Sequence, residues 1–276
     1  MIKQKIAFLF LTLDNPLFPD IWDYYLDGYQ EYYNIYIHPK YPNKVTWHPE
    51  NIINNLKNTE WGLIVDAYLS LFKEAYNDKN NIKFVIISES CIPIKSFNIM
   101  YDIVMENINE SFIKLSHISK YDYEVRLSKK IKHKYKNNLI KHYSRMCLSR
   151  YHVKKLLSTS DVNDFIDMKV GDEFFLSSIM PIKNNINYAI TFDDWDYVIK
   201  ITNIIKNKIK KLNNNDNDNK SKILLLQNEY NELRKHPKKI NIVDKHDLYN
   251  ITNTDSLFYR KFDKNSNIRK YIYDFI

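Results

Sequence analysis

Chemically capable side chains gather in four places in this sequence. Two adjacent carboxylates, Asp172 and Glu173, follow Gly171 and precede the apolar run Phe174–Met180, which Pro181 stops. That order predicts a short helix with both carboxylates in its first turn, where the helix dipole favours negative charge. A basic stretch from Lys120 to Lys141 carries Tyr121, Tyr123 and Tyr135 among its cations, the pattern of a strip on which nucleic-acid bases stack. Two Asp-x-Asp strings, Asp194-Trp195-Asp196 and Asp216-Asn217-Asp218, match a divalent-metal motif in text, the second within a low-complexity tract. Other chemistries are excluded by counting. Gly28, Gly62 and Gly171, the three glycines, lie too far apart for G-x-G-x-x-G, a Walker phosphate loop or a G-x-S-x-G nucleophile elbow. The eight histidines form neither H-E-x-x-H nor His-x-His, and two cysteines, Cys91 and Cys147, supply neither a zinc site nor a disulfide scaffold. No metal site is expected, and the cysteine usage fits a reducing compartment.

The apolar pattern supplies the scaffold these residues need. Residues 5–13 form a continuous apolar run closed by Asp14-Asn15-Pro16, as expected of a strand buried on both faces of a parallel sheet. A second run, Tyr33 to His38, ends at Pro39. Trp61, Ile64, Val65, Tyr68, Phe72 and Ala75 recur at helical spacing, and Lys83–Ser88 reads as another buried strand whose edge carries Glu89, Ser90 and Cys91. Strand, helix and strand in this order predict βαβ units. A helix is expected over Ser96–Ile108, a strand leading into a helix over Met146–Leu157, and a strand over Tyr188–Phe192. Residues 198–236 read as a helical insert in a single domain spanning 1–276. The insert has a Lys/Ile-rich stretch, then the tract Asn213–Asn219, which buries no apolar area and makes a loop, then a second helix through Arg234.

Lys and Arg total 41 against 33 Asp and Glu, a formal net charge of +8. Such an excess suits an anionic partner, large or small. Heavy use of Lys, Asn, Ile and Tyr, the bias of an AT-rich coding sequence, raises it equally well. The run Ile6–Leu13 is far shorter than the roughly 20 residues that span a bilayer. No other stretch does better, so the chain reads as cytoplasmic.

Several segments carry a resemblance by their order. They are Lys5–Thr12, Tyr36-Ile-His-Pro39, Trp61-Gly62 with Val65-Asp66-Ala67, Phe84–Ile94 with its Ser-Glu-Ser-Cys-Ile-Pro core, Leu148-Ser-Arg150 with His152, Gly171-Asp-Glu-Phe174, Thr191–Trp195 and Leu257–Phe262. Over nearly the whole chain this order resembles the core-2/I-branching β-1,6-N-acetylglucosaminyltransferase family, especially its plant and microbial branch. The resemblance implies an α/β fold of the GT-A-like (Rossmann-like) kind, a mixed sheet flanked by helices. It also implies an inverting transfer of sugar from a UDP-sugar to a hydroxyl of a glycan or glycoconjugate, with no metal or other cofactor. N-acetylglucosamine is the first expectation for the sugar; glucuronic acid and xylose are the alternatives.

Residue by residue, Glu173 matches the family's base. An inverting transfer is one in-line displacement and needs one base for the acceptor hydroxyl. Asp172, Trp195, His142 and Tyr143 fall on the acceptor side, the last two where the family carries Gly-Ser. Lys261 aligns with the lysine that contacts the diphosphate and Arg260 assists it, meeting the charge that grows on the leaving group. Arg234 is a candidate for an upstream arginine. Leu11, Thr12, His38, Ser88, Glu89, Ser90 and Cys91 are expected to line the nucleotide pocket, since ligands bind outside the carboxyl ends of sheet strands. By residue type alone, Glu173 is also a helix-capping carboxylate, Lys261 a surface lysine, Trp195 a core residue and His38 a structural histidine. A nucleic-acid-binding protein and a sugar-binding relative without catalysis stand as the competing functions.

Overall fold

The computed structural model describes residues 3–180, 185–213, 219–234 and 236–276. The apolar run near the N-terminus forms strand β1 (Lys5–Thr12). It lies parallel between β2 (Tyr33–Pro39) and β3 (Asn81–Ser88), with Leu9 level with Tyr36 on one side and Ile86 on the other. Helices α1 (Pro19–Leu26) and α2 (Val65–Tyr76) lie in the two crossovers, as the βαβ pattern requires.

Successive residues Ile6–Phe10 of β1 are all buried because they point to opposite faces of the sheet and both faces are covered. Ala7 and Leu9 join Phe84 and Ile86 in a cluster with Tyr68, Leu71 and Phe72 of α2. Ile6, Phe8 and Phe10 join Val85 and Ile87 on the other face with Trp22 of α1 and with Phe97 and Met100 of α3 (Phe97–Met105). Each large side chain removed from water contributes roughly 1.5–3 kcal/mol, so these runs dominate the placement of the sheet.

Beyond β3 the sheet becomes mixed. The short strands β8 (Cys147–Ser149), β5 (Ser111–Phe112) and β9 (Asn185–Ile186) extend it to six strands among the described residues, in the order β2-β1-β3-β8-β5-β9. β8 is antiparallel to both β3 and β5. It runs directly into α5 (Arg150–Leu157), whose first turn is capped by the Ser149 hydroxyl accepting from the His152 amide. Within β3, Lys83 is fully buried, and its ammonium donates to the carbonyls of Asn107 at 2.7 Å and Glu110 at 2.6 Å. Those carbonyls leave the helical path to meet the cation, so α3 stops at Met105 rather than at Ile108.

A smaller sheet sits beside the first. β11 (Phe258–Arg260) lies in its middle, parallel to β10 (Thr191–Asp193) and antiparallel to β4 (Ile92–Pro93). The strand expected over Tyr188–Phe192 is therefore displaced. The Ala189 carbonyl accepts from the Ser256 hydroxyl at 2.7 Å, and the Ile190 carbonyl accepts from the Leu257 and Phe258 amides, both at 3.0 Å. Regular pairing begins only at Thr191.

The helical insert begins at Trp195 rather than 198, because the Asp194 carboxylate accepts from the Tyr197 amide at 3.1 Å and starts α7 (Trp195–Asn213) early. α8 (Lys220–Leu233) packs along α7. Residues 214–218 of the Asn/Asp tract, including Asp216 and Asp218, lie outside the described residues. Among the described residues no helix is long and apolar enough to cross a membrane.

Candidate functional site

A cleft of about 670 Å³ opens beside the smaller sheet, within the range of small-ligand pockets. Its walls come from the turn around Glu173, the segment Lys141–Arg145, the start of α7 and the end of β11.

The Glu173 wall is built by an enforced turn. Val170 adopts a left-handed conformation, φ 59°, costly for a β-branched residue. Its amide donates to the Gly62 carbonyl at 2.6 Å, and the Glu173 amide donates back to the Val170 carbonyl at 3.1 Å. Gly171 then passes so close to Phe165 that a Cβ would sit 2.3 Å from the Phe165 carbonyl oxygen. Gly171–Glu173 form one 3-10 turn, followed by the short helix α6 (Phe175–Ile179), in place of the single helix expected. Gly171→Ala must displace this loop. Overpacking of this kind costs about 1–3 kcal/mol, so urea unfolding is expected to show a lowered midpoint, and a midpoint equal to wild type would refute the close-approach account.

On the floor of the cleft the charges alternate. The Glu173 carboxylate lies 3.1 Å from the Lys141 ammonium, which is 2.9 Å from Asp122, itself 2.8 Å from the Arg126 guanidinium. Lys141 belongs to β7 (Lys141–His142), which pairs with β6 (Leu115–Ser116). Burial penalises its charge, but Glu173 and Asp122 outweigh that penalty and hold its pKa above the ordinary lysine value. Asp172 differs from its neighbour. Burial, reinforced by the Glu173 charge, pushes its pKa up to about 7, and its Oδ1 has no hydrogen-bond partner among the described residues. His142 is fully buried; its Nδ1–H donates to the Tyr143 carbonyl at 3.0 Å, and burial lowers its pKa to about 4, so the ring is neutral.

Further cations line the cleft. Arg260 donates to Asp193, its register partner on β10, at 3.0 Å. Lys261 follows it; burial, with the charges of Arg260 and Lys239, pushes its pKa down to about 8, against a smaller opposing effect of Glu89. Arg145 donates through Nη1 to the Tyr68 hydroxyl at 2.8 Å and the Ser144 hydroxyl at 2.7 Å.

The cleft thus gathers Glu173, Asp172, His142, Tyr143, Trp195, Arg260, Lys261 and Arg234 from the residues singled out in the sequence. It does not gather Leu11, Thr12, His38, Ser88, Glu89, Ser90 and Cys91. Those residues make local contacts at the carboxyl ends of the strands, and Glu89 ties the end of β3 to that of β1. His38 is buried and its Nε2 accepts from the Lys57 amide at 2.9 Å; Cys91 is buried with its Sγ 3.0 Å from the Ser88 hydroxyl. Ser90 is also buried, half-buried Leu11 packs against the core, the Thr12 hydroxyl donates to the Asp14 carbonyl, and the Glu89 carboxylate accepts from the Leu13 amide at 2.9 Å. Glu89 acts on the cleft through its charge on Lys261.

The aromatic basic strip is divided. Tyr121 and Tyr123 are exposed, but Tyr135 is buried, with its hydroxyl 2.9 Å from Asp164, and Lys130 and Lys134 pair with Asp164. Of the Asp-x-Asp strings, the first opens α7, where Asp194 caps the helix. Lys141, Asp122, Arg126, Arg145 and Asp193 were not singled out as site residues by the sequence. Asp122, Arg126 and Lys141 lie in a basic stretch that also fits a solvated surface, and Arg145 and Asp193 lie outside it.

The mixed α/β architecture, a six-stranded sheet flanked by helices, is consistent with a GT-A-like fold. The family model described as Core-2/I-Branching enzyme matches residues 6–216, and the chain belongs to that family. It is also similar to a rice (Oryza sativa subsp. japonica) protein named Glycosyltransferase BC10, at 28% identity over 121 residues, 40% of this chain and 30% of that relative. The match spans less than a third of the length of this relative.

Proposed function

We propose that this protein is an inverting glycosyltransferase that moves N-acetylglucosamine from a UDP-sugar to a hydroxyl of a glycan or glycoconjugate, without a metal. The observation that carries the reading is one cleft with a carboxylate, Glu173, on one wall and the cations Arg260 and Lys261 on another. Glu173 takes the proton of the acceptor hydroxyl as its oxygen attacks the anomeric carbon. The bond from that carbon to the diphosphate oxygen breaks, and its electron pair leaves with UDP. Lys261, assisted by Arg260, meets the charge that develops there, the role a divalent ion takes in other transferases. Trp195, lining the same cleft, offers a ring face on which a pyranose stacks.

The test is UDP release from a panel of UDP-sugars with a glycan acceptor, in EDTA. Release from UDP-N-acetylglucosamine, undiminished by EDTA, is expected. Activity lost in EDTA and restored by Mn²⁺ would overturn the metal-independent step. Release from UDP-glucuronic acid or UDP-xylose alone would overturn the sugar.

A further inference from the structure

Among the described residues, Arg145 of the cleft has no paired carboxylate, unlike three of its neighbours. Lys141 is neutralised by Glu173 and Asp122, Arg126 by Asp122 and Arg260 by Asp193. Arg145 is not. It is partly buried, both of the hydrogen bonds given by its Nη1 go to neutral hydroxyls, and its enclosed Nε has no partner among the described residues. Among the described residues no carboxylate pairs with it; Asp193 and Asp172 act on it as more distant charges, and burial opposes the charge of Asp172. A guanidinium drawn partly out of water without a paired anion is unfavourable, and an anionic ligand removes that penalty.

Resting on the transferase reading above, we propose that Arg145 is an anion-binding residue of this cleft and receives the donor's diphosphate together with Lys261. The placement supports the pairing. Arg145 and Lys261 line the same cleft, and each charge is felt at the other's side of it, since Arg145 helps to depress the lysine. Arg145 is fixed from behind, its Nη1 held by Tyr68 of α2 and by Ser144, so the guanidinium plane is set before the ligand arrives. Rigid placement lowers the ordering cost of binding.

Titration calorimetry with UDP and with uridine separates this role from a structural one. Arg145→Met keeps the length of the side chain and removes the charge. It is expected to weaken UDP about ten- to hundredfold while leaving uridine unchanged, the range for losing one charge-assisted contact. Arg145→Lys, which keeps a charge and fills the site, is expected to recover part of that loss, and it carries the test where the methionine variant does not fold. Unchanged UDP affinity, or equal loss for UDP and uridine, overturns the proposal. Wild type that binds inorganic pyrophosphate through Arg145 but neither UDP nor uridine would uphold the anion site and sink the UDP-sugar reading. Wild type that binds none of the three sinks both.

Discussion

Replacing Glu173 by glutamine is expected to lower turnover by about a hundred- to ten-thousandfold, the contribution of a positioned general base. The amide matches the carboxylate in size but accepts no proton at neutral pH. The rest of the cleft should stay in place, because Lys141 keeps its 2.9 Å contact with Asp122 when the 3.1 Å contact with Glu173 is weakened. UDP affinity and thermal midpoint are therefore expected to match wild type, while the rate of sugar transfer falls. A glutamine variant that kept more than about a tenth of wild-type turnover would remove Glu173 from the role of base.

Lys261→Met is expected to lower kcat/KM by about a hundred- to thousandfold, as when one preorganised group at a developing charge is removed. The pH profile gives a second reading of the same residue. Burial and neighbouring cations place its pKa near 8, so the free cleft already carries the ammonium below that value. Above it, binding of the diphosphate must take up a proton, and kcat/KM is expected to fall as pH rises. Stability moves the other way. Between about 8 and the ordinary lysine value near 10.5 the unfolded chain binds more protons than the folded one, so this group makes the fold more stable as pH rises through that window. An enzyme that gains stability and loses kcat/KM over one pH interval is the signature; Lys261→Arg, which stays charged, should flatten both. A methionine variant with wild-type kcat/KM would show that Lys261 does not meet the diphosphate.

The parts of this protein that were legible in the sequence are those where one pattern decides the outcome. Ile6–Leu11 of β1 and Phe84–Ile87 of β3 are unbroken apolar runs because both of their faces are covered, and α2 shows its buried stripe at the period of a helix. Glu173 and Lys261 stood in segments whose order carried a resemblance, and the cleft holds both. Lys141 could not be read in the same way. It lies on a strand of two residues, too short for any period, and its meaning comes from a carboxylate 32 positions away in the chain, 173 − 141. The Ser88–Cys91 turn is distinctive as a string, yet its string does not say that Ser90 and Cys91 turn inward, with the Cys91 sulfur against the Ser88 hydroxyl. Similarly, Tyr135 stood in a strip that looked open to bases, but its hydroxyl meets Asp164 and its ring packs on Phe165.

The smaller sheet joins residues near positions 92, 192 and 259, with the latest of them in the middle. Neither outer strand has a partner until that central strand has been made, and Arg260 and Lys261 arrive with it. On the ribosome, the large sheet can begin to collapse while the chain is short, because β1, β2 and β3 are complete by residue 88. The cleft has no such head start. A nascent chain that stops short of residue 258 can therefore hold most of the core and an incomplete cleft.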